Sequence, residues 1–476
     1  VTGSNPVSPT SQSGIGFFVD RAVVVGLGRS GMGAAKLLHS QGLPVSVIER
    51  GDDPLVEERA EPLRQLGIEV VLGLPLLPES FDRWRGALDM VVISPGIAWD
   101  HPTLEALRHE GIQVLGEMAI AWRALSHIPW FGITGTNGKT TVTHLLSHVL
   151  QSAGLSAPMG GNMGISAAEM ALQLRQPDAI LPDWLVMELS SYQIEAATEI
   201  TPRFGIWTTL TPDHLERHGT VDNYRAIKRG LLERSELAIF NADDPDLRRH
   251  RNSWDRGFWV SADGPEPGGC PADLWIDDEG LVCDQGGPLF SANVLAMPGR
   301  HNRQNLLLVA AAARMIGLSG NQIASGLASF PGVPHRLERI GSRNGCSMFN
   351  DSKATNYAAA EVGLKAMDAP VVVLAGGQTK RGDADGWLKQ LHAKACSVVL
   401  FGSGADELHT LIASSGYDGP LHRCPDLSHA VPVALDEADR LGAISLLLSP
   451  ACASFDQYKD FEARGDHFRD LIQHTI

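Results

Sequence analysis

Short β-branched runs alternate with helical patterns from one end of this chain to the other, and no other feature restricts its fold as much. A helix between two strands returns the chain to the same sheet edge, so the alternation predicts parallel sheets covered by helices. The runs fall into three sets. The first is Ala22 to Val25, Val45 to Ile48, Val70 to Leu72, Met90 to Ser94 and Gln113 to Leu115. The second is Trp130 to Thr134, Trp184 to Leu189, Phe204 to Leu210 and Leu237 to Asn241. The third is Val371 to Ala375, Val398 to Phe401 and Ile444 to Ser449. Three sets predict an α/β chain of three domains, and 476 residues at roughly 150 per domain agree. The boundaries are expected at 17–117, 118–332 and 333–476, the last break falling where Pro331, Gly332 and Pro334 interrupt regular structure. Residues 1–16 are polar, lack a basic start and apolar centre, and are expected to form a disordered tail.

Charge and cysteine usage remove several function classes. The net charge is −16, which disfavours nucleic acid or an anionic membrane as the main partner, so any anionic substrate must be held by local devices. No apolar run approaches the roughly 20 residues a membrane span needs. Cys270, Cys283, Cys346, Cys396, Cys424 and Cys452 contain no Cys-x-x-Cys pair, so they suggest neither a disulfide framework nor a zinc site and read as reduced thiols in the cytoplasm.

Two glycine loops follow strand runs. Gly26-Leu-Gly28-Arg29-Ser30-Gly31 lets backbone approach a pyrophosphate and aims helix-start N–H groups at it, and Glu49, which ends the next run, is placed to bond a ribose hydroxyl. Taken alone this is a Rossmann-like site for NAD, and an NAD-dependent oxidoreductase is the alternative it supplies. Thr134-Gly135-Thr136-Asn137-Gly138-Lys139-Thr140-Thr141 reads as a P-loop in which backbone donors wrap ATP phosphates, Lys139 meets the β/γ oxygens, and Thr140 or Thr141 ligates Mg²⁺. Ile133 stands where the standard loop has its leading glycine, so a shorter variant is expected. The helix behind it buries Val142, Leu145, Leu146, Val149 and Leu150, which leaves His144 and His148 facing solvent.

Glu188 and His214 end neighbouring strand runs, where ligands of open α/β sheets gather, so both are metal candidates facing this loop. Asn302 and Asn305 head an Ala/Leu-rich helix; amides there can read a purine edge or simply cap the helix. In the last domain, His335-Arg336, Asn350 to Asn356, Gly376 to Lys380 and Ser449 to Asp456 all lie at strand ends or in turns and together predict a polar binding edge.

TGTNGKTT at 134 to 141, GGNMG at 160 to 164, LVMELSSYQ at 185 to 193, TPDHLERHG at 211 to 219, YRAIK at 224 to 228, GRHNRQN at 299 to 305, PHRLE at 334 to 338, NDSKATN at 350 to 356 and SPACASFDQYKDFEARG at 449 to 465 resemble the Mur ligases over nearly the whole chain from Arg21. NDSKATN and the closing segment most resemble members that add D-glutamate to UDP-N-acetylmuramoyl-L-alanine. The resemblance implies an ATP-dependent ligase of peptidoglycan precursor synthesis with Rossmann-like first and last domains around a P-loop ATPase-like sheet. It implies ATP contacts at Gly135 to Thr141, Asn302, Asn305, Arg336 and Asp351. Thr140, Glu188, His214 and a carbamylated Lys228 would be metal ligands for two Mg²⁺ ions. UDP-sugar contacts would fall at Gly28, Arg29, Ser30, Glu49, Arg50, Ser94, Gly96 and Asn162, Arg50 standing where the family often has a small hydroxyl residue. D-Glutamate would meet Thr355, Lys380, Ser454, Phe455 and Phe461. Lys139 and Lys353 would offset developing phosphate charge, and His214 or Asp213 would accept the amine proton. Closure of the third domain onto the second is expected to exclude water. A monomer acting on small molecules is expected, with a folylpolyglutamate-type ligase as the nearer alternative.

Overall fold

β-Branched and aliphatic runs flanked by glycine turns form three separate sheets in the computed structural model, which describes residues 20–475 apart from 298, 380 and 381. The expected tail at 1–16 and the expected ligand Lys380 lie outside the described residues.

The first sheet contains β1 (Ala22–Val25), β2 (Val45–Ile48), β3 (Glu69–Val71), β4 (Met90–Ile93) and β5 (Gln113–Gly116), in the order β3-β2-β1-β4-β5 and parallel throughout. Strand order reverses between β1 and β4, so the loops after these two strands flank the crevice where such sheets bind ligands. The second sheet has nine strands: β6 (Trp130–Thr134), β7 (Met159–Gly161), β8 (Leu185–Glu188), β9 (Phe204–Trp207), β10 (Leu237–Asn241), β11 (Phe258–Ser261), β12 (Leu274–Ile276), β13 (Leu281–Asp284) and β14 (Gly287–Ser291). Their order is β14-β13-β12-β11-β10-β9-β6-β8-β7, which puts β6 between β9 and β8. The third sheet, β15 (Glu338–Arg343), β16 (Cys346–Asn350), β17 (Val371–Gly376), β18 (Ala395–Phe401), β19 (Leu421–Cys424) and β20 (Ser445–Leu448), has the order β15-β16-β20-β17-β18-β19.

The expectation of purely parallel sheets is corrected at two edges. β12, β13 and β14 pair antiparallel, as do β15 and β16. The second hairpin turns through Asn344 and Gly345, both at positive φ (51° and 83°). Two such residues fit the twist of a two-residue hairpin, so the Asn-Gly pair was a readable signal. The runs drawn to Leu210 and Ser449 end earlier, at Trp207 and Leu448, which frees Thr208 to Leu210 to act as a loop.

Contacts divide the chain into two compact units between Phe330 and Pro331. In the first unit one apolar core runs through both sheets, from Val24, Val47 and Val92 through Met118 and Ala171 to Leu185 and Trp207, all almost fully buried. The alanine-rich helix Ala167–Leu174 packs against helices Arg29–Ser40 and Glu117–Leu125, because small side chains let backbones approach. The expectation that His144 and His148 face solvent is also corrected, since both are half-buried. Helix Gly320–Ala328 covers their face, coming so close at Gly326 that a Cβ there would stand 2.9 Å from Val149 Cα, and His148 Nε2 lies 3.0 Å from Ser329 Oγ. In the second unit helices cover both faces of the sheet, as two buried clusters show. No helix among the described residues is long and apolar enough to cross a membrane.

Candidate active site

The loop after β6 is shaped by two glycines that no other residue can replace without strain. Gly135 sits at φ 147°, where a Cβ would stand 2.0 Å from Thr208 Oγ1, and Gly138 at φ 86°, where it would stand 2.7 Å from Asn305 Oδ1. The segment after β9 braces this loop from outside: Thr136 N donates to Thr209 O (2.8 Å), Asn137 N to Thr209 Oγ1 (2.9 Å) and Thr211 N to Thr136 Oγ1 (3.0 Å). Helix Lys139–Ser152 starts directly behind it with Gly138 as N-cap and no capping side chain, so the positive end of its dipole faces the loop. Lys139 Nζ donates to Gly135 O (2.9 Å) and Thr136 O (3.0 Å), which holds the ammonium over the loop. Thr140 and Thr141 are buried at the helix start. Asn302 and Asn305 are also buried, on helix Arg300–Met315, and Asn305 lies against Gly138. The structure therefore gathers Gly135 to Thr141 and Asn305 at one strand end, as the sequence implied.

Glu188 ends β8 beside this loop and is 1% exposed. Its Oε1 accepts from Asn162 Nδ2 at 2.9 Å, while Oε2 is buried with no hydrogen-bond partner. A buried carboxylate oxygen without a donor is costly unless a cation meets it. Asn162, expected on the UDP-sugar, is thus placed against the expected metal ligand. Lys228 is equally buried, and its Nζ donates to Thr134 Oγ1 (3.1 Å) and Gly135 O (3.0 Å) and lies 4.8 Å over the Tyr224 ring. Burial, with the charge of Lys139 second, pushes the Lys228 ammonium well below its ordinary pKa. His214 is more open, with φ 53°; its Nε2 lies 3.6 Å from Asp213 Oδ2, its Nδ1 3.6 Å from Glu216 Oε1, and its ring 5.0 Å from that of Tyr192. Among the described residues no group of three or more His, Cys, Asp and Glu side chains could hold a metal. Glu188, with its buried and unpartnered Oε2, nonetheless fits a cation at this position.

At the first sheet, Gly26 (φ 100°) approaches Ser94, whose Oγ is buried without a partner, and Gly31 lies so close to Gly26 O that a Cβ would stand 2.0 Å away. Glu49 braces the loop itself, its Oε2 accepting from Leu27 N (2.8 Å) and its Oε1 from Gly51 N (3.0 Å). Gly28, Arg29, Arg50 and Gly96 are exposed around this crevice, and Ser30 is half-buried. Arg29 reaches Gly164 O at 3.1 Å, which ties the crevice to the loop carrying Asn162.

In the second unit the ends of β16, β17 and β20 carry the expected polar edge. Asp351, 6% exposed, accepts from Ser449 Oγ (3.1 Å) and Leu337 N (3.3 Å), and burial pushes its carboxyl up to about 7 despite those bonds and the nearby Arg336 and Lys353. Lys353 Nζ lies 5.7 Å from the Phe461 ring, Thr355 is half-buried, Ser454 is buried, and Phe455 is 68% exposed. Arg336 is exposed.

Sequence reasoning assigned no role to Arg464, which organises this edge. Only 1% exposed, it donates to Ser352 Oγ (3.0 Å), Ser352 O (2.9 Å), Gly376 O (3.2 Å) and Cys452 O (3.1 Å), and so ties three strand-end loops together. Burial lowers its pKa to about 10. The helix Phe461–Thr475 carries two arginines, Arg464 and Arg469, and no local signal marks Arg464 as the buried one, where an arginine needs several acceptors to be tolerated.

Three family models match the chain: the Mur ligase MurD-like N-terminal domain at 20–116, the Mur ligase middle domain at 133–313, and the Mur ligase glutamate ligase domain at 335–452. UDP-N-acetylmuramoylalanine–D-glutamate ligase of Parasynechococcus marenigrum is 68% identical over 452 residues, which cover 95% of this chain and 98% of that one. The protein of the same name from Synechococcus elongatus is 46% identical, covering 96% and 99%. Among solved structures, UDP-N-acetylmuramate-alanine ligase of Thermotoga maritima shares the fold with a TM-score of 0.58 at 20% identity, covering 96% of this chain and 100% of that one. Folylpolyglutamate synthase of Mycobacterium tuberculosis shares it at 0.53 and 16% identity, covering 74% and 93%. With its strand-end loops formed as the motifs require and relatives matching it along nearly their full length, the chain belongs to the Mur ligase family.

Proposed function

We infer that the chain is an ATP-dependent ligase that joins D-glutamate to UDP-N-acetylmuramoyl-L-alanine in peptidoglycan precursor synthesis. Near-complete coverage of relatives carrying that name is the observation that supports it most. A free carboxylate is a poor acyl donor. The L-alanine carboxylate therefore attacks the γ-phosphorus of ATP, giving an acyl phosphate and ADP; the D-glutamate amine then attacks the acyl carbon, phosphate leaves, and one proton is released. The phosphate loop orients ATP, and Lys139 offsets charge as the phosphoryl group moves. Asn302 and Asn305 lie on the helix that meets the loop, which suits them to the nucleoside. In the second unit, Arg336, Asp351 and Lys353 are assigned to ATP, and Thr355, Lys380, Ser454, Phe455 and Phe461 to D-glutamate. Asp213 or His214 accepts the amine proton.

Mur ligases are ATP-dependent and need Mg²⁺. Glu188, His214, Thr140 and Lys228 would hold that metal, which neutralises phosphate oxygens when bound. The desolvated Lys228 amine favours its neutral form, which adds CO₂ with loss of one proton to give a carbamate. Two metal ions, a monomeric state and a cytoplasmic location complete the reading. The test is phosphate release from ATP and UDP-N-acetylmuramoyl-L-alanine with D-glutamate, L-glutamate, glycine or L-lysine as acceptor. Release should require the donor and D-glutamate; equal release with L-lysine, or without the donor, overturns it.

A further inference from the structure

Three side chains in the first unit that the reaction as described does not use, Tyr192, Glu195 and Arg217, stack against His214. Tyr192 and Glu195 lie one turn apart on helix Ser191–Glu195, so they share a face. Arg217, three residues after His214, meets both: its NH2 lies 3.1 Å from Glu195 Oε2, with the two side chains only 13% and 20% exposed, and its guanidinium lies 4.9 Å over the Tyr192 ring. The Tyr192 ring in turn packs 5.0 Å from the His214 ring. His214 needs such support. It sits at φ 53°, its side chain is 43% exposed, and its acidic neighbours stand at 3.6 Å, too far for a firm hydrogen bond. The four-residue helix that follows it, Leu215–His218, is too short to orient a ring by itself. Arg108, whose guanidinium stacks 4.0 Å over Trp99, adds a weaker attraction to Glu195.

We infer that Arg217 is a positioning residue for ligation: paired with Glu195, it fixes the Tyr192 ring and, through that ring, the orientation of the His214 imidazole. A planar guanidinium can pair and stack at once, which an ammonium cannot do equally well. The inference rests on the assignment of His214 to the active site.

The test uses the full chain labelled with ¹⁵N-histidine, with His214 imidazole resonances assigned by their loss in His214→Gln, alongside steady-state kinetics. In Arg217→Ala without nucleotide, the His214 resonances should move toward those of free histidine. The kcat should fall about tenfold while the D-glutamate KM stays within about twofold. Arg217→Lys should recover part of both effects, and Tyr192→Phe, which keeps the ring, should retain most of the rate. Arg217→Ala combined with Tyr192→Leu should be no slower than the slower single variant, because both act through one ring. Glu195→Gln is the milder variant that decides the matter if Arg217→Ala fails to fold, and it should shift the same resonances. Unmoved His214 resonances in the folded variants, or multiplicative losses in the double variant, overturn the inference. An unimpaired His214→Gln enzyme instead overturns the assignment of His214.

Discussion

Replacing Asp351 by asparagine should make the protein more stable, and more so as pH rises. The carboxyl is buried and titrates near 7 instead of its ordinary 3.8, so ionising it costs the folded state and not the unfolded one. Below pH 3.8 both states are protonated and the group contributes nothing; as pH rises through the interval to about 7, the unfolded state gains stability relative to the folded one. At about 1.4 kcal/mol per unit, the full penalty is on the order of 4 kcal/mol, of which about 3 kcal/mol accrues between pH 5 and 8.5. The amide oxygen can still accept from Leu337 N, while the amide nitrogen can only donate, so the bond with Ser449 Oγ must reverse direction; that change is the same at every pH and cancels in the comparison. At roughly 3 °C per kcal/mol, the melting temperature of Asp351→Asn relative to the parent should rise by about 8 °C between pH 5 and 8.5. Circular dichroism melts of the full chain at the two pH values measure it. A difference that does not change with pH, or that reverses, would refute a desolvated carboxyl at this position.

Lys139→Ala should abolish turnover, whereas Ser454→Ala should chiefly raise the D-glutamate KM; equal effects of both on ATP binding, measured by calorimetry, would contradict the assignment. Gly138→Ala forces a Cβ to 2.7 Å from Asn305 Oδ1 at φ 86°, so the ATP KM should rise more than about tenfold with the donor KM unchanged in initial-rate assays. Arg464→Met leaves the carbonyls of Ser352, Gly376 and Cys452 without their donor, a loss of about 3 to 5 kcal/mol that thermal melts should register as a drop of about 10 °C or more, with weaker D-glutamate binding in what remains folded.

What could be read in advance follows from how local each signal is. β6 and the helix behind it announce themselves through a β-branched run, a glycine turn and a 3.6-residue period, all within neighbouring residues. Strands β7 and β14 are short and carry glycine, proline or serine, so they exist because neighbouring strands offer a hydrogen-bonding edge and not because of local propensity, while β11 to β13, of three or four residues each, are too short to stand out by pattern. Roles such as that of Arg464 were illegible for the same reason: its acceptors lie 12 to 112 residues away along the chain, and only the fold brings them together. The bond from Asn162 to Glu188 was hidden in the same way, because it spans 26 residues.

How a chain of net charge −16 holds two anionic nucleotides is answered by its helix starts. Among the described helices with assigned caps, most begin with a capping side chain or carry an acid in the first turn, as at Asp53, Ser166, Ser190, Thr220 and Asp244. Helices Arg29–Ser40, Lys139–Ser152 and Arg300–Met315 have neither, and each begins after a glycine. These are the three helices behind the stretches assigned to UDP, to ATP phosphates and to the adenosine side. No capping side chain or first-turn acid competes with a ligand anion for the positive end of these helix dipoles, at the expense of helix stability. Gly28→Asp tests this trade directly. Gly28 has φ −77° and ψ 178°, the extended geometry of a good N-cap, and a Cβ there meets nothing within 4 Å, so aspartate fits without strain. The carboxylate should cap its own helix and raise stability by roughly 0.5 to 1 kcal/mol, while occupying the amides and repelling the diphosphate, which should raise the KM for the UDP substrate more than about tenfold. Thermal melts and initial rates on the same preparation read both effects. A variant that is stabilised yet keeps its donor KM would mean that the diphosphate does not sit at this helix start.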